Sequence, residues 1–211
     1  MSYLVKEIFG PTIQGEGRWT GLPCVFLRLS NCNKWSGRPE DKAKSICNYC
    51  DTDFVGGERL SADEIYSRIY GTSDAVTITG GEPMLQLAKD PSILGKLKDM
   101  HIMIETNGSI PFHWLNVPGL SVTISPKQSA KETWYPSFGF DLKFLYPWIA
   151  PDIHPLAFGA NRYLERIYIQ PIDLPGGINS TQKAFEEVVR LRALGLPAFL
   201  SQQTHKLGGF R

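Results

Sequence analysis

Three of the four cysteines in this chain have a spacing that suits a metal centre. Fourteen residues separate Cys32 from Cys47, and two further residues separate Cys47 from Cys50. A structural zinc site and an ordinary iron–sulfur cluster each take four protein ligands, so three thiolates would leave one position of a metal centre open for chemistry. The short Asn48-Tyr49 connection would allow two of these thiolates to converge on one centre.

Two other interpretations of the cysteines follow from the residues alone. A free cysteine is often a small buried apolar residue, and this suits Cys24, which lies within the apolar segment PCVFLRL. The other three cysteines lie in a polar, loop-like segment and fit that interpretation poorly. A zinc site with His101 as the fourth ligand stays open, and it would make the chain a zinc-stabilised binding module.

The composition excludes several classes of partner. The chain has 211 residues with 22 basic and 21 acidic side chains, so its net charge is +1. We expect no nucleic-acid partner, because no long basic stripe is present, and no membrane partner, because the apolar runs are too short to span a bilayer. The first residues also lack the apolar core of a signal peptide. These features predict a cytoplasmic protein with reduced cysteines.

The apolar pattern predicts short strands that alternate with helices. Ser61 and Glu64 form a capping box at the start of one helix, and residues 180–194 form the clearest amphipathic helix. This alternation is typical of a parallel sheet in βα units, and its roughly six strands are too few for a closed eightfold barrel. We therefore predict an α/β fold, a partial open (βα) barrel, as one domain over residues 1–211 with a cluster-binding loop at about 31–60. The predicted strands are 23–29, 75–79, 101–105, 120–124, 140–146, 166–170 and 198–202.

Polar or glycine-rich turns follow several of these strands. They are TGGEP at 79–83, ETNG at 105–108, SPK at 125–127 and QPID at 170–173. Chemistry gathers at the C-terminal ends of parallel strands, so we expect these turns to line one pocket that faces the cysteine loop. Gly80 and Gly81 would let the backbone approach a ligand closely, and Glu82 could accept from an ammonium group.

Further candidates for ligand recognition lie near the start of the chain. Gln14 and Glu16 in the IQGEG turn offer an amide and a carboxylate to a polar heterocycle, although a polar surface turn would look the same. Arg28 lies in an apolar strand, where a buried guanidinium must be paired and its planar fork suits a carboxylate ligand. A charge at a sheet edge that faces water is the alternative.

In order along the chain, these motifs resemble the radical S-adenosylmethionine superfamily and, within it, the 7-carboxy-7-deazaguanine synthase family. The superfamily usually has CxxxCxxC, and the longer first gap here resembles a subset of that family. Other matching segments are KEIF, IQGEG, NCN with WSG, CDTDF, TGGEP, ETNG, SPK, QP and QTHK, which together cover most of the chain.

The resemblance implies a lyase that converts 6-carboxy-5,6,7,8-tetrahydropterin into 7-carboxy-7-deazaguanine with loss of ammonia, for queuosine and tRNA modification. A [4Fe–4S] cluster and S-adenosylmethionine would yield a 5′-deoxyadenosyl radical that takes a hydrogen from substrate C6 before the ring contracts. The resemblance also implies Mg²⁺, a homodimer and an electron donor such as flavodoxin or ferredoxin. A radical enzyme that activates another enzyme stays open as an alternative.

Residues and resemblance together give a set of expected sites. Thr52 is expected to ligate Mg²⁺, although Asp51 and Asp53 would be favoured from the residues alone. No role follows for His205 and the C-terminal tail. The expected cluster ligands are Cys32, Cys47 and Cys50. Residues expected to bind S-adenosylmethionine are Asn48, Tyr49, Gly81, Glu82, Glu105, Ser125, Pro126 and Lys127. Residues expected to bind substrate are Ile13, Gln14, Gly15, Glu16, Arg28, Thr79, Gln170, Pro171, Ile172 and Asp173.

Overall fold

A mostly parallel β-sheet with short helices forms the framework of the computed structural model, which describes residues 2–111, 117–172 and 180–211. The strands among these residues are β1 (Ser2–Ile13), β2 (Pro23–Leu29), β3 (Glu58–Ser61), β4 (Ala75–Gly80), β5 (His101–Thr106), β6 (Leu120–Ile124), β7 (Phe140–Tyr146), β8 (Leu164–Pro171) and β9 (Ala198–Leu200). The helices are α1 (Pro39–Lys42), α2 (Ala62–Ile69), α3 (Met84–Leu87), α4 (Ser92–Lys96), α5 (Pro155–Phe158), α6 (Ser180–Ala193) and α7 (Thr204–Leu207).

The chain divides into two compact units. The first comprises Met1–Gln14, Leu22–Thr106 and Ile110–Val122, and the second comprises Gly15–Gly21, Asn107–Ser109 and Thr123–Arg211. Strand β6 begins in the first unit and ends in the second. The prediction of one domain over the whole chain stays a prediction.

In the first unit the strand order is β3-β1-β2-β4-β5. Strands β2, β4 and β5 are parallel, as predicted, and their buried Leu27, Ile78 and Ile104 belong to the core. Strand β1, which is not among the predicted strands, pairs antiparallel with both β2 and β3, so the sheet is mostly rather than entirely parallel. Strand β1 is difficult to predict from the sequence, because Lys6-Glu7 and Gly10-Pro11 interrupt the apolar alternation that marks a strand.

The second unit contains β7, β8 and β9 in parallel, with β7 also paired to the end of β6. Helix α6 packs on β8 and β9. It buries Ala184, Val188 and Leu191, which recur at helical spacing, and it confirms the amphipathic helix expected from residue 180. Within each unit the described strands form an open sheet, so the open α/β fold is confirmed.

Local signals fixed some element ends correctly. The side chain of Ser61 accepts from the backbone N–H of Glu64, and the Glu64 carboxylate accepts from the backbone N–H of Ser61 at 2.7 Å, which is the predicted capping box of α2. Among the described residues, no helix has the length and apolarity needed to cross a membrane.

Candidate active site

The expected cluster ligands lie in the first unit, on the loop that follows β2. All four cysteines are free thiols; Cys47 is buried, and Cys32 and Cys50 are half-buried. The N–H of Cys50 donates to the carbonyl of Cys47 at 2.9 Å and closes the turn between them. The N–H of Lys34 points at the Cys32 sulfur at 3.4 Å, a contact that favours a thiolate.

Three thiols on one loop fit a soft metal centre by their chemistry. Burial raises the pKa of the Cys32 thiol, so a thiolate there needs a cation to compensate its charge. Within the described residues, however, no three His, Cys, Asp or Glu side chains converge closely enough to hold a metal ion. The donor set is therefore present on one loop, while the ligand geometry is not formed in this structure.

The glycine-rich turn after β4 lies directly against this loop. The N–H of Glu82 donates to the carbonyl of Asn31 at 2.8 Å, and Asn31 has a positive φ of 74°. A Cβ atom on Gly81 would lie 2.3 Å from the Asn31 oxygen and 2.7 Å from Cβ of Cys32. Only glycine fits at position 81, because real Cβ atoms do not approach other atoms so closely.

Glu82 is fully buried within this turn. Its Oε1 accepts from the backbone N–H of Met84 at 2.9 Å and from the hydroxyl of Thr106 at 2.7 Å. The carboxylate thus ties the turn after β4 to the end of β5. Sequence reasoning missed Thr106, although it lies in the ETNG motif next to the expected ligand-binding Glu105.

Aromatic packing organises the long gap between Cys32 and Cys47. The ring of Trp35 meets Phe54 edge to face at a centroid distance of 5.5 Å, and the Trp35 indole N–H donates to the carbonyl of Arg38 at 3.1 Å. The ammonium of Lys42 lies 5.3 Å from the Trp35 ring centre. The gap is therefore a folded segment containing α1, rather than an unstructured insertion.

Arg28 lies in the interior of the sheet and is not at its edge. It pairs in register with Glu7 of β1 on one side and with Thr79 of β4 on the other, so these three side chains share one face. Its Nε donates to the Glu7 carboxylate at 2.8 Å, and its guanidinium lies 5.9 Å from the Phe9 ring centre. The edge-charge alternative for Arg28 was wrong, and the structure brings together two residues expected to bind substrate.

A second polar group in this unit joins Gln14 to Glu105. The amide nitrogen of Gln14, which is 4% exposed, donates to the hydroxyl of Thr77 at 3.3 Å and to the Glu105 carboxylate at 3.1 Å. The Thr77 hydroxyl in turn donates to the Cys24 sulfur at 3.6 Å. Cys24 is fully buried and burial raises its thiol pKa, which agrees with a core residue.

The residues around the expected magnesium ligand are largely exposed. Thr52 is half-buried, whereas Asp53 is exposed and its carboxylate pairs with the Lys6 ammonium at 2.7 Å. The hydrogen bond from Lys6 lowers the pKa of Asp53. Asp53 thus forms an ion pair that joins the cysteine loop to β1. The role of Thr52 stays a prediction.

His101 lies at the wrong edge of the sheet for a cluster ligand. It is the first residue of β5 and its ring nitrogen lies 3.3 Å from the Ser121 hydroxyl. Strands β2, β4 and β5 run parallel, so their first residues lie at the edge opposite to the loop that follows β2. A zinc site that combines His101 with the three cysteines was therefore a wrong alternative.

In the second unit, Glu16 forms a buried ion pair. Its Oε2 pairs with the ammonium of Lys143 on β7, and its Oε1 accepts from the Gln203 amide at 2.8 Å. Burial opposes ionisation of this carboxyl, but the charge and hydrogen bond of Lys143, with smaller contributions from Gln203 and His205, lower the pKa of Glu16 to about 2. Glu16 is therefore a carboxylate at neutral pH.

The segment before and within α7 docks on the turn that carries Glu16. The N–H of Thr204 donates to the carbonyl of Gly15 at 2.9 Å, and the N–H of Gly17 donates to the hydroxyl of Ser201 at 3.0 Å. A Cβ on Gly15 would lie 1.9 Å from the His205 ring, so the ring covers this glycine directly. The C-terminal segment, to which sequence reasoning assigned no role, thus contacts residues expected to bind substrate.

The remaining expected residues of the second unit lie at or just after the ends of β6 and β8. Gln170 is 3% exposed and accepts from the Ser201 hydroxyl at 3.1 Å. The N–H of Ile172 donates to the Tyr146 carbonyl at 2.9 Å, and the Lys127 ammonium donates to the Ser125 carbonyl at 3.1 Å. Pro126 is buried and Pro171 is half-buried. Asp173 lies outside the described residues.

Two buried ion pairs escaped sequence reasoning. Lys143 lies between Leu142 and Phe144 in an apolar strand, the same signal that singled out Arg28. On the same strand, Asp141 accepts two hydrogen bonds from Arg18, at 2.8 and 2.7 Å. A charged residue inside an apolar strand was therefore a usable signal for both Asp141 and Lys143.

An open, mostly parallel α/β sheet, with a three-cysteine loop after β2 and a tight glycine turn after β4, defines the radical S-adenosylmethionine class of enzymes. The crystal structure of QueE from Escherichia coli has this fold and superposes with a TM-score of 0.65 at 23% identity, covering 96% of this chain and 94% of that one. Streptococcus suis SuiB, solved with the precursor peptide SuiA, superposes with a TM-score of 0.53 at 12% identity over 72% of this chain.

Sequence similarity narrows the class to one family. The 7-carboxy-7-deazaguanine synthase of Burkholderia multivorans is 39% identical and that of Caulobacter vibrioides 37% identical, with 98% and 99% of each chain covered, respectively. The Bradyrhizobium diazoefficiens enzyme of the same name is 38% identical over the full length of both chains. The chain belongs to the 7-carboxy-7-deazaguanine synthase family. A scan of protein-family models finds none that matches.

Proposed function

We propose that this chain converts 6-carboxy-5,6,7,8-tetrahydropterin into 7-carboxy-7-deazaguanine with loss of ammonia. The main observation in support is the close contact between Gly81 and Cys32. The chain that contains this contact resembles its relatives over nearly its whole length. The similarity supports a carbon–nitrogen lyase of deazapurine biosynthesis. The geometry supports a single site formed by the cysteine loop and the glycine turn, because the two pack directly against each other.

The proposed cluster ligands are Cys32, Cys47 and Cys50. A [4Fe–4S] cluster held by three thiolates, together with S-adenosylmethionine, would supply a radical that abstracts hydrogen. The turn at Gly81 is proposed to lie along the methionine end of S-adenosylmethionine, because the missing side chain lets it pack directly against Asn31 and Cys32 of the loop that would hold the cluster. Ser125, Pro126 and Lys127 are proposed to contact the same cofactor.

Arg28 is proposed to bind the substrate carboxylate. Within residues 2–111, 117–172 and 180–211, its hydrogen bond to Glu7 engages Nε, and the two terminal nitrogens donate to no other side chain. A carboxylate can accept from both terminal nitrogens at once. Since Glu7 already compensates the charge of Arg28, the fork would select its ligand by geometry more than by net charge.

The other proposed features extend the family resemblance to this chain. Thr52 is proposed to ligate Mg²⁺, which usually keeps few protein ligands and several from substrate or water. Gln14 and Glu16 are proposed to bind the polar edge of the pterin. A homodimer in the cytoplasm that receives electrons from a flavodoxin or ferredoxin completes the proposal.

The proposal is tested with protein reconstituted anaerobically with iron and sulfide. The reconstituted protein is mixed with reductant, Mg²⁺, S-adenosylmethionine and the carboxylated tetrahydropterin, and products are followed by mass spectrometry. We expect a brown protein and a product lighter by ammonia, with Cys47→Ala as the inactive control. A brown protein that cleaves S-adenosylmethionine yet leaves the pterin unchanged would overturn the proposal and favour an activating enzyme.

A further inference from the structure

Lys143, in the interior of β7, lies in an environment where its charge must be compensated. The Lys143 side chain is 8% exposed, and its neighbours along the strand, Leu142 and Phe144, are buried apolar residues. An ammonium group removed from water in this way costs several kcal/mol unless a counter-charge and hydrogen bonds compensate it. Its partner is Glu16, which is distant in sequence and itself only 14% exposed.

The carboxylate of Glu16 is held from two directions. Lys143 contacts Oε2, and the Gln203 amide donates to Oε1 at 2.8 Å. The backbone on both sides of Glu16 is fixed as well, because the carbonyl of Gly15 accepts from Thr204 and the N–H of Gly17 donates to Ser201. The position and orientation of this carboxylate are therefore determined by the second unit itself.

Such an arrangement is poorly explained by stability alone. A buried ion pair is often no more stabilising than an apolar pair of similar volume. What the pair does provide is a carboxylate that stays ionised and keeps one orientation, and a polar ligand is recognised by groups that are already in place. This applies directly to Glu16 because it lies in the IQGEG turn, which is expected to bind substrate.

We propose that Lys143 is a positioning residue for the reaction, which holds Glu16 as an ionised, oriented acceptor for N–H donors of the heterocyclic substrate. This inference rests on the proposed function, and it adds a residue that touches no substrate itself. Gln203 holds the second oxygen of the same carboxylate. His205, which covers Gly15, is a further ionisable side chain that acts on Glu16.

The test compares Lys143→Met, Glu16→Gln and the double variant, with the exposed Lys183→Met as the matched control. Steady-state KM and kcat for the pterin are measured on reconstituted protein, together with iron content and thermal stability. We expect Lys143→Met to raise KM by up to about 100-fold at unchanged iron content, because a misplaced binding group costs that much. Lys183→Met should match the parent.

Two further readouts separate positioning from mere stabilisation. In Lys143→Met the buried Glu16 loses its counter-charge, so kcat/KM for this variant should decrease at acidic pH. The parent and Lys143→Arg should show no such decrease. The profile is also measured with His205→Gln, which removes another ionisable side chain that acts on Glu16. The double variant should have a kcat/KM no lower than that of Glu16→Gln alone, because Lys143 would act only through Glu16. It should also lack the decrease of kcat/KM at acidic pH.

The outcomes distinguish this proposal from the proposed function. If the parent forms product but Lys143→Met keeps the parent KM and pH profile, the positioning role is overturned while the proposed function stands. If the parent forms no product from the pterin, both fall. If Lys143→Met does not fold, the neutral double variant takes its place, and failure of both variants to fold would assign the ion pair to stability and overturn the positioning role.

Discussion

Gly81 and Cys32 lie so close together that position 81 has no room for a side chain. The nearest side-chain atom to a Cβ built on Gly81 would be Cβ of Cys32, at 2.7 Å. The turn after β4 and the first cysteine of the loop after β2 are therefore fitted to each other. A disturbance on one side of this contact must displace the other.

We expect Gly81→Ala to lower the free energy of unfolding by about 2 kcal/mol and to reduce iron incorporation, because the methyl group must push the Asn31 carbonyl and the Cβ of Cys32 away. Both effects are measured by denaturant unfolding and by iron analysis after reconstitution. Gly95→Ala is the matched control, since a Cβ there meets nothing within 4 Å and alanine favours helix α4. A Gly81→Ala protein with normal stability and iron content would contradict the tight fit.

The four cysteines should separate into two classes. Cys24→Ala should keep the iron content of the parent and lose about 1 kcal/mol of stability, because it removes a buried thiol and its contact with Thr77. Cys47→Ala should lose iron and turnover. Iron analysis and the visible absorption of the reconstituted proteins check both outcomes, and loss of iron in Cys24→Ala would show that this core assignment is wrong.

Arg28→Lys should raise KM for the pterin by about tenfold or more, with a smaller change in kcat. A lysine can keep an ion pair with Glu7 but has no planar fork with which to grip a carboxylate at the same time. Steady-state kinetics measure the effect, and thermal unfolding checks that the fold is intact. The exposed Arg59→Lys serves as the control, and an unchanged KM in Arg28→Lys would remove Arg28 from substrate binding.

The stability of the protein should fall as the pH is lowered through the histidine range. Burial, aided by Arg190, lowers the pKa of His154 below its ordinary 6.5, so the unfolded state takes up a proton more readily than the folded state. The free energy of unfolding should therefore decrease as the pH falls through 6.5, which denaturant unfolding between about pH 8 and about pH 5 would measure.

His154→Asn isolates this contribution. The Nδ1 atom of His154 accepts from the N–H of Leu156 at 3.2 Å at the start of α5, and asparagine can replace that cap without titrating. The variant should lose stability less steeply on acidification than the parent does. Burial also lowers the pKa of His101, so part of the pH dependence should remain. An equally steep loss in the variant would show that His154 does not contribute.

Much of the framework could be read from local patterns. The apolar segments that became β2, β6 and β7 have the predicted bounds, and the Ser61–Glu64 capping box is in place. These features depend on residues a few positions apart, so the chain carries their signal locally. Strand β1 escaped prediction because its pairing with β2 and β3 overrides an interrupted apolar pattern.

The sequence by itself determined the chemistry that is available: three thiols on one loop, glycines after β4 and polar turns after the strands. Only the tertiary structure decided which charges meet. Glu16 lies 127 positions from Lys143 and 187 from Gln203, and Arg28 meets Glu7 across an antiparallel pair. Spacing along a chain specifies neighbours within a turn or a strand, whereas the partner of a buried charge is set by how distant segments pack.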